Sequence, residues 1–230
     1  MTTIRFSLPA IEHAILDVYS VLDECTSVSW EKNSEDDLWR ELVFCILGSR
    51  VRFETVHAAV KRMDGMCLFS HSRRNSHFDQ YEEDTVAALS MGYPFYRVRA
   101  NQIRRTAEHL YSSRGSILEL LNSASNARSA RRLLTDEVAG LGPKQASLFL
   151  RNIGYAKCIA ILDVHILTYL SWIGLAESSL KSVPTLGKYE ALEESFIQHA
   201  DSLGFSPDQF DLAVWIVMKV AKEESKVWGS

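Results

Sequence analysis

A lysine and an aspartate nineteen residues apart, Lys144 and Asp163, are the side chains of this sequence best placed to do chemistry. Lys144 follows the turn Gly140–Leu141–Gly142–Pro143 in VAGLGPKQASLFLRN, and Asp163 opens the apolar run DVHILTYL. A Gly–Leu–Gly turn lets the main chain adopt positive φ and approach another molecule closely. Its amides, with the start of the next helix, form a natural phosphate site. The same glycines would also suit an ordinary corner between two helices. Lys144 falls in the first turn of its helix, where the dipole disfavours a cation. It can serve there as a plain charge on a phosphate or, once neutral, as a nucleophile, and the local sequence leaves both open. An aspartate at a helix start caps free amides. If the two helix starts converge, the pair suits one reaction. The amine attacks an anomeric carbon while the carboxylate stabilises the developing oxocarbenium ion, which is N-glycosidic bond cleavage.

These residues need helices to position them, and the helical period dominates the chain. Apolar residues recur at helical spacing in PAIEHAILDVYSVLDE, DDLWRELVFCIL after Ser34, FETVHAAVKRM and EDTVAAL. They recur in YPFYRVRANQIRRTAEHLYSS, which Pro94 would open. GSILELLN and ARSARRLLTDEVAG precede the glycine turn, and GKYEALEESFIQHADSL and SPDQFDLAVWIVMKVAKEE close the chain, the last opened by Ser206 and Pro207. No alternating hairpin stands out. Residues 65–84 read as a long irregular loop, of the kind that is often functional. The expectation is an all-α protein of ten or so helices, with a hairpin between two helices at about 129–153.

The 230 residues, 47% hydrophobic, suffice for one domain or two small lobes sharing a core. No apolar run approaches the ~20 residues that span a bilayer, and the first twenty do not read as a signal peptide. The four cysteines are scattered without a C-x-x-C pair, so neither a metal cage nor disulfides are expected. A reduced, cytoplasmic protein fits this composition. Net charge is −4, but it is unevenly spread. Residues 1–41 carry nine acids and three bases, and residues 176–230 nine acids and five bases. Residues 97–132 carry eight arginines against two glutamates, a stripe able to hold several phosphates.

The run from Val138 to Asp163, with its D-V-H-I continuation, resembles the helix–hairpin–helix, Gly/Pro…Asp superfamily of DNA base-excision glycosylases. The likeness is closest to the second type of 8-oxoguanine DNA glycosylase/lyase, found in archaea and some bacteria. LWRELVFCIL, YPFYRVRANQI and FDLAVW support it. The resemblance implies a two-lobed all-α bundle, compact over 1–230, with the catalytic cleft between the lobes. It makes Lys144 the Schiff-base lysine and Asp163 the catalytic carboxylate. Phe95 and Trp215 would sandwich the extruded base and Asp211 would accept from its ring edge. Gly140, Gly142, Arg131 and Arg132 would contact the DNA backbone. The implied partner is double-stranded DNA with a damaged purine, bound by a monomer that uses no cofactor and no metal. An alkali ion at carbonyls near Val138 and Leu141 is optional. The sequence departs from the family at Ser49, Arg50 and Arg52, in its acidity, and in its KVWGS tail. The alternative function is a divergent member, as in antiphage defence, that acts on a modified guanine-like base outside ordinary duplex DNA.

Overall fold

The computed structural model describes residues 7–22, 30–75, 77–156 and 158–227, with side chains described through residue 222. Among the described residues there are twelve α-helices and no strand. The chain divides into two compact units, one of residues 28–156 and one of residues 1–27 with 157–230. The second unit holds α1 (Leu8–Val21), α10 (Val164–Trp172), α11 (Leu186–Ser202) and α12 (Pro207–Val227). The first holds α2 (Glu35–Leu47), α3 (Phe53–Gly65), α4 (His71–Arg74), α5 (Phe78–Ser90) and α6 (Tyr96–His109). It continues with α7 (Ile117–Asn122), α8 (Ala127–Glu137) and α9 (Pro143–Asn152).

In the 28–156 unit α2 is the central element. Ser34 accepts from the Asp37 amide, and the Asp37 carboxylate accepts from the Ser34 amide in return, closing both ends of a capping box. Leu38, Trp39, Leu42, Val43, Ile46 and Leu47 are then fully buried. Burying such side chains yields roughly 1.5–3 kcal/mol each.

Residues 65–84 are not the irregular loop expected: they contain α4 and the start of α5. The physical reason is a buried arginine. Arg74, 1% exposed, pairs with Asp36, donates to the Phe69 carbonyl and lies 4.8 Å from the Tyr111 ring centre. Tyr81 donates to the Leu68 carbonyl at 3.0 Å and accepts from the Trp39 indole at 3.1 Å. A polar-looking stretch is thus tied to the core by hydrogen bonds that hydrophobic periodicity does not register.

Pro94 also does not open α6. The helix begins at Tyr96, after Phe95 takes a left-handed conformation with φ 61°. Its far end passes into a π-helical turn, Leu110–Arg114, closed by Gly115 at φ 100°. A Cβ at Gly115 would meet the Glu119 carboxylate 1.6 Å away.

In the other unit, α1 and α10–α12 surround a core that includes Ile11, Ile15, Leu167, Phe196, Phe210 and Val214. Two histidines line this core. Burial lowers the pKa of His199, which shares a 3.0 Å hydrogen bond with Tyr169. Burial likewise lowers that of His165, with Lys222 and Lys219 adding to the effect and Asp163 and a Met218 backbone bond opposing it. A folded pKa below the unfolded value means that the unfolded chain takes up protons first as pH falls. Stability is therefore expected to be full above about pH 6.5, the ordinary histidine value, and to decline below it. Melting temperatures from pH 7.5 to 5 test this, and replacing His199 with glutamine should flatten the decline.

Candidate active site

The lysine sits at the second residue of α9, which has Gly142 as N-cap and Pro143 at its first position. No side chain caps this helix, so its first amides remain available to an outside acceptor. α8 leads into the turn, its own start closed by a capping box between Asn126 and Ser129. Gly140 has φ 81°, and a Cβ there would lie 2.4 Å from Gln102. This glycine is required by the protein itself. Gly142 has φ −92°, and nothing lies within 4 Å of where a Cβ would be. Its openness leaves room for an approaching molecule. The Val138 carbonyl accepts from the Leu141 amide at 3.3 Å.

Lys144 is half-buried, and α2 supplies its surroundings. Gly48 approaches Gln145 so closely that a Cβ would fall 2.9 Å from its Nε2. Cys45 is buried, with its thiol 3.6 Å from the Glu41 carboxylate. Burial pushes the thiol pKa up and Glu41 adds to this, while the positive charge of Lys144 opposes it. The sulfur beside the lysine is thus a neutral neighbour, not a competing thiolate. Glu41 is itself raised by burial, against the hydrogen bond it accepts from Asn152 at 2.8 Å. Phe95 lies in the same unit and is 62% exposed.

The two neighbouring arginines separate. Arg132 is exposed. Arg131 is 0% exposed and donates to Ser147 Oγ at 3.0 Å, joining α8 to α9. The expected place of Arg131 on the DNA backbone is therefore corrected: it lies on the buried stripe with Ala130 and Leu134. Other arginines of the positive segment are also engaged internally. Arg104 pairs with Glu82 and Glu108, Arg114 with Glu137, and Arg99 donates to Gln102 and the Ser49 carbonyl. Arg97, Arg105, Arg128 and Arg132 remain exposed. Reversing Arg132, which is exposed, to glutamate should lower the melting temperature far less than reversing buried Arg131, and weaken duplex binding. Reversing Arg131 should cost several kcal/mol by burying a carboxylate. A thermal melt of both variants separates the two roles.

Asp163 belongs to the other unit and is the N-cap of α10. Its Oδ1 accepts from the amides of His165 at 2.8 Å and Ile166 at 3.1 Å. Its Oδ2 accepts from the Trp215 indole at 3.0 Å. The extended residues before it are held in place by three side chains. Glu193 accepts from the Ala160 amide, Asp211 from the Ile161 amide at 3.3 Å, and the Tyr189 hydroxyl bridges Ala160 and Leu162. Asp211 is 1% exposed, and one helical turn separates it from half-buried Trp215. Asp163, Asp211 and Trp215 are thus gathered in one unit, while Lys144, Phe95, Gly140, Gly142, Arg131 and Arg132 lie in the other. The roles of Glu193 and Tyr189 escaped the sequence reading. Both stand on α11 and look like ordinary residues of an amphipathic helix. Among the described residues no group of three histidine, cysteine or acidic side chains is placed to hold a metal. No helix among them is long and apolar enough to cross a membrane. The KVWGS tail has no described side chains, and its last three residues lie outside the described residues.

Comparison with known proteins gives this arrangement a family. Residues 21–205 match the Ogg-HhH family, described as 8-oxoguanine DNA glycosylase. An 8-oxoguanine DNA glycosylase/AP lyase of Metallosphaera sedula is 31% identical over 206 residues, 88% of this chain and 93% of that protein. The 8-oxoguanine DNA glycosylase of Thermotoga maritima is similar in structure, with a TM-score of 0.65 and 27% identity over 90% of this chain and 88% of that one. So is the 8-oxoguanine glycosylase/lyase of Methanocaldococcus jannaschii in complex with a 15mer DNA containing 8-oxoguanine. Its TM-score is 0.65, at 25% identity over 90% of this chain and 88% of that one. With its uncapped lysine helix behind a glycine hairpin and its aspartate-capped helix, the chain belongs to the Ogg-HhH family of 8-oxoguanine DNA glycosylases.

Proposed function

We infer that the protein is a bifunctional DNA glycosylase/AP lyase that excises 8-oxoguanine or a closely related purine. The observation that carries the reading is the pair of helix starts in a chain of this family: Lys144 at the open end of α9 and Asp163 capping α10. The reading requires both to act on one extruded nucleotide. The Lys144 amine attacks C1′, forming a C–N bond as the glycosidic bond breaks and the base leaves with its electron pair. The Asp163 carboxylate stabilises positive charge on the sugar while that bond opens. The sugar ring then opens to a lysine Schiff base. Loss of a C2′ proton expels the 3′ phosphate, and hydrolysis returns the lysine. Phe95 and Trp215 offer aromatic faces to the base, Asp211 an acceptor for its edge, and the amides after Gly142 a seat for a phosphate. The chemistry needs only the chain's own amine and carboxylate, and an alkali ion at the Val138 and Leu141 carbonyls would serve the hairpin alone.

The direct test is borohydride reduction during reaction with an 8-oxoguanine duplex. A covalent adduct of protein and DNA is expected on the damaged duplex, and base release without any adduct would remove the lyase half of the reading. Affinity for duplex DNA should fall with log[salt] at a slope of about −0.9 per phosphate neutralised. With about four contacts, that is a loss of ~10²-fold between 50 and 200 mM salt. Binding that is flat in salt would point away from a duplex.

A further inference from the structure

Both oxygens of Asp163 are engaged. Oδ1 takes the two amides of its own helix, an arrangement any N-cap aspartate can make. Oδ2 takes a donor from another helix, the Trp215 indole N–H, at 3.0 Å across 52 positions of sequence. This second contact fixes rotation of the carboxylate about its last bond. The indole is itself restrained. The Lys219 ammonium, one helical turn further along α12, lies 4.7 Å from the ring centre, and the His165 ring meets the indole edge-on with centres 6.3 Å apart. A cation on the ring face draws electron density from it and strengthens the N–H as a donor.

We propose that Trp215 is a positioning residue for Asp163: its indole N–H sets the carboxylate through Oδ2, and Lys219 holds and polarises that indole. The proposal rests on the glycosylase reading and adds to it. A ring that only stacked on the base would need no N–H, and phenylalanine would serve in its place. A ring that orients the carboxylate needs its N–H, and the benefit must vanish when the carboxylate is gone.

The test is a double-mutant cycle on single-turnover base release from an 8-oxoguanine duplex, with Trp215→Phe and Asp163→Asn. Strand cleavage at a preformed abasic site and affinity for the lesion duplex are measured alongside. A hydrogen bond to a charged group justifies about a tenfold effect or more. Trp215→Phe is expected to slow base release by about that factor, to slow abasic-site cleavage less, and to cause no further slowing in Asp163→Asn. Lys219→Gln, which keeps the indole, should slow release about threefold with the same dependence on Asp163, and stands in should Trp215→Phe fold poorly. Equal slowing in both backgrounds, or a loss that appears as weaker lesion binding, overturns the positioning role. Wild-type protein that releases no base would instead overturn the glycosylase reading on which it rests.

Discussion

Replacing Lys144 with glutamine is expected to abolish the borohydride-trapped adduct and to reduce strand cleavage by at least about 10³-fold, as for loss of a covalent nucleophile. The fold should not suffer. The side chain is half-buried and occupies the second position of α9, where a cation costs about 0.3–1 kcal/mol against the helix dipole. Glutamine removes that cost, so the melting temperature should hold or rise slightly. Lys144→Arg separates the two uses the local sequence leaves open. Arginine keeps the charge and surpasses lysine as a phosphate ligand, but it is no nucleophile at neutral pH. A phosphate clamp would survive the change to arginine with its cleavage intact. A nucleophile would not: binding should stay near wild type while adduct and cleavage disappear. Cys45 offers no substitute, because its thiol is held neutral by burial and by Glu41.

The contrast between what the sequence revealed and what it hid follows from the range of the interactions. Signals that act within one turn were legible. Ser34 before an acidic first turn, Ser206 before Pro207, and Gly–Leu–Gly before Pro143 each mark a helix boundary through a bond or torsion spanning three or four residues. What stayed hidden were polar side chains that turn inward. Arg74 made residues 65–84 look solvated, although its partners Asp36 and Tyr111 lie far away in sequence. Arg131 is expected on the DNA backbone beside Arg132, within a stripe of arginines, a residue type that is mostly exposed. Its period did contain the warning, since it falls between Ala130 and Leu134 on the buried face of α8, while Arg132 points off that stripe. The candidate site shows the same division. The shared face of Asp211 and Trp215 was readable from their spacing. That Trp215 donates to Asp163, and that Asp211 holds the Ile161 amide, depends on packing between α12 and the residues entering α10, and no local pattern encodes it.

Asp163→Asn should slow base release by about 10²- to 10³-fold, the range for losing one preorganised electrostatic contact to a transition state, with only a modest loss of stability. Asparagine ranks with aspartate as an N-cap, so its carbonyl oxygen can still accept from His165 and Ile166. The cost arises at the other atom. With the carbonyl turned to the amides, the side-chain NH2 faces the Trp215 indole N–H, donor against donor. That leaves a half-buried N–H without its acceptor, worth about 1–3 kcal/mol, or several degrees in melting temperature for a unit of this size. The alternative rotamer restores the indole bond and gives up the cap, at a similar cost of about 0.5–2 kcal/mol. Cleavage at a preformed abasic site should fall much less than base release, because no glycosidic bond remains for the carboxylate to assist there. The informative measurement is the ratio of the two rates in wild type and variant. A variant that released base at the wild-type rate would leave Asp163 as a helix cap and nothing more. One that lost both activities together with its thermal transition would show only that the cap is needed for folding. A large fall in base release alone, in a protein that still melts cooperatively, is the result that assigns the carboxylate to the oxocarbenium step.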